Sequence, residues 1–344
     1  MHNYLFSIII PCYNRSDEIV DLLHSFNQQT FPKEHFEVLL VDDGSTDGTA
    51  EIIGGLIRSS LFQIRFFQRD HEGPGPARNF GMSKAEGKYF LFIDSDCIAD
   101  PKWLSELALA IANEQPDAFG GPDSVLDNFT PLQKAIDYSM TSFITTGGMR
   151  GHSKKKLAKF YPRSFNMGIH RKIFEKLGGM GTLRHGQDLE FSRRIVASGA
   201  KVVFVPEAVV YHKRRSSLRK FFRQMFNWGV ARINLTVIDR GILEPLHFLP
   251  AIAAIGYTLL TIITPLSGLA LKIWLDVTGL AFLILIVIFF DSLRRYRSLR
   301  AACLTPVVAV CQVFAYGFGF TINFIRRIIF RKDEFTGFVK KYYK

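Results

Sequence analysis

The sequence predicts an α/β fold, a mostly parallel sheet with helices on its faces, followed by transmembrane helices toward the C-terminus. Three observations carry this. Up to about residue 212, short apolar runs alternate with segments of helical apolar spacing, the pattern of a parallel sheet covered by helices. Two of the runs end in clustered carboxylates, VLLVDDGSTDGT at 38–49 and YFLFIDSD at 89–96, and open α/β sheets bind ligands at the carboxyl ends of their strands. From about 246 to 325 the chain is mostly apolar, whereas the rest mixes charge, glycine turns and apolar runs.

The elements follow in order. Leu5 to Ile10 reads as a strand stopped by Pro11, and Asp17 to Phe26 as a helix with Ile19, Leu22, Leu23 and Phe26 on one face. Phe36 to Val41 is a second strand, Thr49 to Ser59 a helix capped by Asp47 or Thr49, and Phe62 to Phe67 a third strand. GPGPARNFG at 73–81 is turn-rich, and Lys88 to Ile93 is a fourth strand. Trp103 to Ala112, Arg171 to Leu177 and Asp188 to Ser198 have helical spacing. Ala118 to Gly121, Asn166 to Ile169 and Lys201 to Val205 are short strands, and basic Gly147 to Lys159 reads as a mobile loop. The expected units are a catalytic domain over 1–212, a basic amphipathic interfacial region over 213–245, a transmembrane region over 246–326 and a basic tail over 327–344.

Crossing a bilayer takes roughly 20 apolar residues. Segments 246–271 and 301–325 are long enough, and 273–290 is marginal but carries only Asp276. The formal charge of +12 concentrates just ahead of them: eight Lys or Arg and one acid lie between Lys213 and Arg240. Leu218, Phe221, Phe222, Met225 and Phe226 recur there at helical spacing, which suits an anionic bilayer surface better than nucleic acid. Arg294, Arg295, Arg297 and Arg300 place the second link on the inner side by charge. A third crossing is expected, although it would put the basic tail outside. Re-entry through a break at Pro306, Gly317 or Gly319 is the alternative. LFSIII is too short for a signal peptide, so the catalytic domain is expected in the cytoplasm, at the inner face of a multi-pass membrane anchor. The four cysteines lack ligand-like spacing and read as reduced thiols.

A buried carboxylate needs a cation or a hydrogen-bond partner. Asp94-Ser95-Asp96 at a strand end therefore suits a hard divalent ion, Mg²⁺ or Mn²⁺, shared with a ligand phosphate. Asp42 and Asp43 exceed what a simple turn requires and suit a nucleotide base or ribose. Asp188 opens a helix whose dipole favours its ionised, proton-accepting form, although a cap alone would also explain it. His212 and Trp228 are each unremarkable alone.

Taken in order, SIIIPCYN, VLLVDDGSTDGT, GPGPARNFG, FIDSD, FNMGIHRKIFEKLGG, GQDLEFSRR and VPEAVVYH resemble the family-2 inverting glycosyltransferases, of GT-A (Rossmann-like) fold, over about residues 5 to 230. RQMFNWGVAR and VFAYGFGF resemble the membrane-anchored bacterial branch that builds succinoglycan-type and other surface polysaccharides. The resemblance implies a nucleotide-sugar donor, uridine diphosphate by default, held by Pro11, Tyr13, Asp42, Asp43, Arg78, Asp94 and Ser95. It implies a metal on Asp96 and His212, with Asp94 as a further candidate, and Asp188 as the base that activates a polyprenyl-phosphate-linked or glycan acceptor. Gln187, Gln224 and Trp228 would lie near the acceptor and diphosphate.

Two positions depart from the family pattern. Its Glu-Asp reads Gln187-Asp188, and the QxxRW of polymerising synthases reads Gln224-Met-Phe-Asn227-Trp228. Without that arginine a bidentate diphosphate donor is lost, which favours transfer of one sugar over processive synthesis. A sugar-nucleotide pyrophosphorylase would need a glycine-rich, lysine-bearing loop that SIIIPCYN lacks. A silent scaffold would rest on Gln187 alone, against an intact Asp188 and Asp96.

Overall fold

The computed structural model describes residues 4–126, 129–146 and 160–338; the basic loop expected over 147–159 and the end of the basic tail lie outside these. In chain order the elements are β1 Phe6–Cys12, α1 Ser16–Asn27, β2 Phe36–Asp42, α2 Thr49–Ser59, β3 Gln63–Gln68, α3 Pro74–Lys84, β4 Tyr89–Phe92, β5 Cys97–Ala99, α4 Trp103–Glu114, β6 Ala118–Gly120 and β7 Asp123–Ser124. Then come α5 Pro131–Thr141, α6 Phe143–Thr146, β8 Met167–His170, α7 Arg171–Leu177, α8 Gln187–Ala197, β9 Val202–Phe204, β10 Val210–His212 and α9 Leu218–Ile238. Three long apolar helices close the order: α10 Leu249–Ile263, α11 Gly268–Tyr296 and α12 Leu299–Phe324.

The main sheet runs β3-β2-β1-β4-β8-β6-β9, and β5-β10-β7 form a small second sheet. β1 pairs in parallel with both β2 and β4, while β8 is antiparallel to β4 and β6. Every residue of β1, β2 and β4 is buried, which is why these strands read as continuous apolar runs. Side chains alternate between faces. Phe6, Ile8 and Ile10 pack with Leu22 and Phe26 of α1 and Trp103 and Leu107 of α4. Ile9, Leu39, Phe90 and Phe92 pack with Met82 of α3 and Phe191 and Ile195 of α8. Cys12 pairs with Asp42, so β1 and β2 end level, and β4, whose last residue Phe92 pairs with Ile9, ends three residues earlier on the same side of the sheet.

Two expectations are corrected, and one alternative falls away. The turn-rich 73–81 is largely the helix α3. Pro74 sits in its first turn, where a missing N–H costs nothing. The glycines serve close approach: a Cβ at Gly81 would lie 2.4 Å from Ile9, and one at Gly75 would meet Gln187. Second, the apolar face of α9 is covered by protein, with Phe221, Met225 and Phe226 packed among Ile136 and Met140 of α5 and Val308 and Ala315 of α12. The alternative of a broken, re-entrant third segment falls away, since α12 is unbroken from Leu299 to Phe324 despite Pro306. Gly317 and Gly319 serve contact rather than a break, since added Cβ atoms would lie 2.6 Å from the Pro250 carbonyl and 2.1 Å from that of Phe226.

Three segments are long and apolar enough to cross a membrane: Pro245–Leu266, Gly268–Tyr296 and Leu299–Ile329. The first turn between them falls at 264–267, where Pro265 follows α10 and the Ser267 hydroxyl accepts from Ala270 N to start α11, so Lys272 lies inside α11. The third segment is the most covered by protein, 39% of its apolar window against 6% for the second.

A buried ionic knot joins these parts. Arg214, two residues beyond His212, lies 2.5 Å from Asp123 and 2.6 Å from Asp137, and all three side chains are at most 2% exposed. Asp137 also accepts from the Tyr296 hydroxyl and faces Arg295 of α11. Removing one member of such a pair leaves uncompensated buried charge. Arg214→Met should therefore lower unfolding stability by about 3–5 kcal/mol, measured by denaturant titration in detergent. A loss within experimental error of zero would show that the knot is dispensable.

Candidate functional site

The edge where β1, β2 and β4 end is organised by its own side chains. Asn14, in the left-handed region at φ 51, accepts from Thr46 N, while its own N–H donates to Ser45 Oγ. This staples the loop after β1 to the acidic loop after β2. Asp42 accepts from Ser45 N and Oγ, and the Asp47 carboxylate accepts from Thr49 at the start of α2. Tyr13 is thereby held out, 42% exposed, and stacks on His71 with ring centroids 4.1 Å apart. A flat ring pair of this kind suits a planar base. Asp43 accepts from Glu72 N and Gly73 N at 2.9 and 2.8 Å and lies 2.8 Å from His71 Nδ1, so it shapes the loop that carries His71.

A cavity of about 380 Å³ opens here. Of the residues expected at the site, Pro11, Tyr13, Asp43, Arg78, Asp94, Ser95, Asp96, Asp188, His212, Gln224 and Trp228 line it. Asp42 and Gln187 do not. Asp42 gives one oxygen to the Ser45 turn while its Oδ2 is buried without a hydrogen-bond partner among the described residues, and Gln187 is buried against Gly75, filling the space between α8 and α3. Arg15, His71, Arg163, Phe165 and Arg215 line it as well and were not singled out from sequence. Arg163 left no signal, because its partner Asp188 lies far along the chain, and the local pairing of Arg15 with Glu18 says nothing of its place beside Asp96.

Asp96 Oδ1 lies 3.2 Å from His212 Nε2, and Arg15 approaches its other oxygen at 3.9 Å. Burial alone would push the Asp96 carboxyl up, but His212, then Arg15 and Arg215, outweigh it and hold it well below the usual carboxylate range. Asp96, Cys97 and His212 place ligand atoms within 4.8 Å of one another. The Cys97 thiol is pushed up by burial and by the charges of Asp96 and Asp94, so it stays a neutral thiol and a poor ligand. His212 Nδ1 is buried with no hydrogen-bond partner among the described residues. The Asp96 carboxylate is a hard oxygen donor of the kind Mg²⁺ and Mn²⁺ take, and the imidazole beside it is a nitrogen donor that Mn²⁺ accepts more readily than Mg²⁺. Asp94 is held instead by Arg78 at 2.5 Å.

Asp188 lies in the first turn of α8, and its Oδ2 accepts from Arg163 Nε at 2.8 Å. Burial pushes its carboxyl up, but the Arg163 charge and hydrogen bond, then the Arg78 charge, more than offset this and hold it below the ordinary value. The group is an ionised carboxylate at neutral pH, able to accept a proton. Asp188 also lines a second cavity of about 360 Å³, which shares Met140, Arg163, Phe165 and Trp228 with the first.

Two outcomes test this geometry. Mn²⁺ titrated into the protein, with free ion read by electron paramagnetic resonance, should bind on the order of tenfold or more weakly to Asp96→Asn and His212→Ala; equal binding would move the metal elsewhere. Arg163→Gln removes the cation that depresses Asp188, so the acidic limb of the rate profile should move to higher pH; an unmoved limb would separate Arg163 from the titrating group.

Residues 7–178 match the sequence model of a family described as Glycosyl transferase family 2. The chain is 27% identical over 236 residues to glycosyltransferase AglE of Haloferax volcanii, covering 68% of this chain and 75% of that protein. It is 25% identical over 298 residues to dolichyl N-acetyl-alpha-D-glucosaminyl phosphate 3-beta-D-2,3-diacetamido-2,3-dideoxy-beta-D-glucuronosyltransferase of Methanococcus voltae, covering 84% and 86%. A shorter match, 38% over 112 residues, joins it to poly(ribitol-phosphate) beta-N-acetylglucosaminyltransferase TarS of Staphylococcus aureus, of which it spans a fifth. In fold it is similar to mannosyltransferase PcManGT from Pyrobaculum calidifontis, solved with GDP-Man and Mn²⁺, with a TM-score of 0.64 at 16% identity over 90% of this chain and 87% of that one.

Proposed function

This chain belongs to glycosyl transferase family 2, and from that premise we propose that it moves a single sugar, with inversion, from a nucleotide-diphosphate sugar to a lipid-linked or nascent-glycan acceptor. The setting is the cytoplasmic face of a bacterial inner membrane, in surface polysaccharide or glycolipid assembly. The observation that carries the reading is Asp188: an ionised carboxylate on the wall common to two cavities, one of which bears the Asp96–His212 pair. The donor occupies that cavity, its base against Tyr13 and His71 and its ribose and sugar near Arg78 and Asp94.

Asp188 takes the proton of an acceptor hydroxyl entering from the other side. The acceptor oxygen attacks the anomeric carbon as the bond to the diphosphate oxygen breaks, and attack opposite the leaving group inverts the configuration. A Mg²⁺ or Mn²⁺ ion held by Asp96 and His212 would supply counter-charge to the diphosphate. Arg15 and Arg215 add fixed positive charge at the same wall.

Neighbours support parts of this. The Methanococcus voltae relative is named for a dolichyl-phosphate-linked acceptor, and the Pyrobaculum protein was solved with GDP-Man and Mn²⁺. A uridine or guanosine diphosphate donor therefore leads the list to test. Transfer of one sugar is favoured over a processive synthase because Asn227 stands where a synthase carries arginine, and its Oδ1 accepts from Phe338 N.

Full-length protein in nanodiscs with Mn²⁺ should release nucleoside diphosphate from one sugar nucleotide of a panel in the presence of polyprenyl-linked acceptors. Asp188→Asn should reduce turnover by about 10²-fold or more while donor affinity stays within twofold. Unchanged turnover in Asp188→Asn would remove Asp188 as the base, and no nucleotide binding to the wild type would sink the donor reading.

A further inference from the structure

The second cavity extends away from Asp188 between α9 and the apolar helices, reaching Pro250 of α10 and Gln312 and Tyr316 of α12. Its charge is unevenly spent. Arg163 is paired with Asp188, and Arg193 with Asp239 at 2.6 Å. Glu244 lines it too and closes the turn at Pro245–Phe248 through its backbone, its N–H donating to His247 Nδ1 and its carbonyl accepting from His247 N. Burial and the Arg184 charge push the His185 imidazole down to about 4, so it is neutral. Arg232, half-buried on the same wall, makes no ion pair among the described residues. It lies beside the Tyr316 hydroxyl, which is buried and without a hydrogen bond of ordinary geometry. A guanidinium with no ion pair among the described residues, with a buried hydroxyl beside it in the same chamber, suits an anion.

Helix α9 sets the spacing. Gln224 lines only the donor-side cavity, Trp228 both, and Arg232 only the second. These residues are spaced i, i+4 and i+8 on one face, so Arg232 lies about 6 Å beyond Trp228 along the helix axis. That offset is about the width of one sugar ring. A phosphate acceptor is already ionised and needs no base; a sugar hydroxyl needs one.

Resting on the reading of Asp188 as the base, we propose that this chamber binds a lipid-linked phosphosugar or diphosphosugar. Arg232 and the Tyr316 hydroxyl hold the phosphate, the sugar presents its hydroxyl to Asp188, and the lipid leaves along the chamber's apolar side. Leu246, Val313 and Pro250 supply the apolar exit.

The test uses farnesyl diphosphate as probe, with farnesol and inorganic diphosphate as controls, on the full chain in nanodiscs saturated with whichever nucleoside diphosphate binds. Farnesyl diphosphate should bind about tenfold or more tightly than either control. Arg232→Gln should remove that advantage, Arg232→Lys should restore part of it, and nucleotide affinity should stay within twofold throughout. Tyr316→Phe, a smaller change to the packing, should weaken the probe severalfold and gives the same reading if Arg232→Gln does not fold. The inference falls if farnesol matches the diphosphate, if inorganic diphosphate matches the lipid, or if Arg232→Gln and Tyr316→Phe bind as wild type does. Absence of nucleotide binding would instead overturn the donor reading, which separates the two failures.

Discussion

Arg214 is the hinge pin of this molecule. It sits between Asp123 and Asp137, so the triad alone carries one excess negative charge, and α11 answers it with Arg295 and the Tyr296 hydroxyl. Burying such charges is tolerable only when every one is answered. The knot therefore ties β7, α5 and the end of the second apolar helix to one another. Because Arg214 follows β10 by two residues, the same tie sets where His212 stands relative to Asp96. Ser139 and Tyr138 of α5 extend it, donating to Gln312 of α12 and to Asp291 of α11. The apolar helices are thus coupled to the Asp96–His212 pair through hydrogen-bonded charge as well as through apolar contact.

The second constraint is close packing of α9 on α12. Gly229 lets the backbone near Tyr316 and Phe320 approach, since a Cβ there would lie 2.2 Å from the Tyr316 carbonyl. Asn323 then donates to the Val230 carbonyl and to Asn234, satisfying polar groups that burial would otherwise penalise. The C-terminal segment adds a strap: Asn234 donates to the Phe335 carbonyl, and Phe338 N donates to Asn227. Helix α9 consequently has a fixed rotation, which is what aims Gln224, Trp228 and Arg232 in turn along one wall.

Sequence reasoning reached the central strands, α2 and α7 nearly to the residue, because buried parallel strands and capped amphipathic helices leave strong local patterns. It also reached Asp96 and Asp188, each standing at the end or start of such an element. His212 was legible only through the resemblance, since one histidine after a short strand has no local meaning. Helix α3 was misread as turns because proline in a first turn and glycine at a close contact look the same in sequence as loop punctuation. The apolar face of α9 was ambiguous for a different reason: a helix side that meets protein and one that meets lipid have the same periodicity. Arg15, Arg163 and Arg215 were invisible, as ion pairing across the fold leaves no trace in local spacing. Arg163 and its partner Asp188 are 25 residues apart.

The two departures from the family pattern acquire physical meaning together. Asn227 removes a guanidinium where synthases carry one, yet the donor-side cavity is not short of positive charge: Arg15, Arg78, Arg163 and Arg215 all line it. Two of these are spent on Asp94 and Asp188, and Arg15 is shared between Glu18 and Asp96, which leaves Arg215 on the Asp96 side. Gln187, meanwhile, packs against Gly75 with its carboxamide buried and its Nε2 without a partner. A glutamate there would be a second buried carboxylate next to Asp188 with no cation in contact, and like charges at that range raise one another's pKa. Neutral Gln187 therefore helps keep Asp188 ionised. On the proposed reading, the charge needed at Asp188 is preserved by removing a neighbouring negative, and that needed beside Asp96 by Arg15 and Arg215.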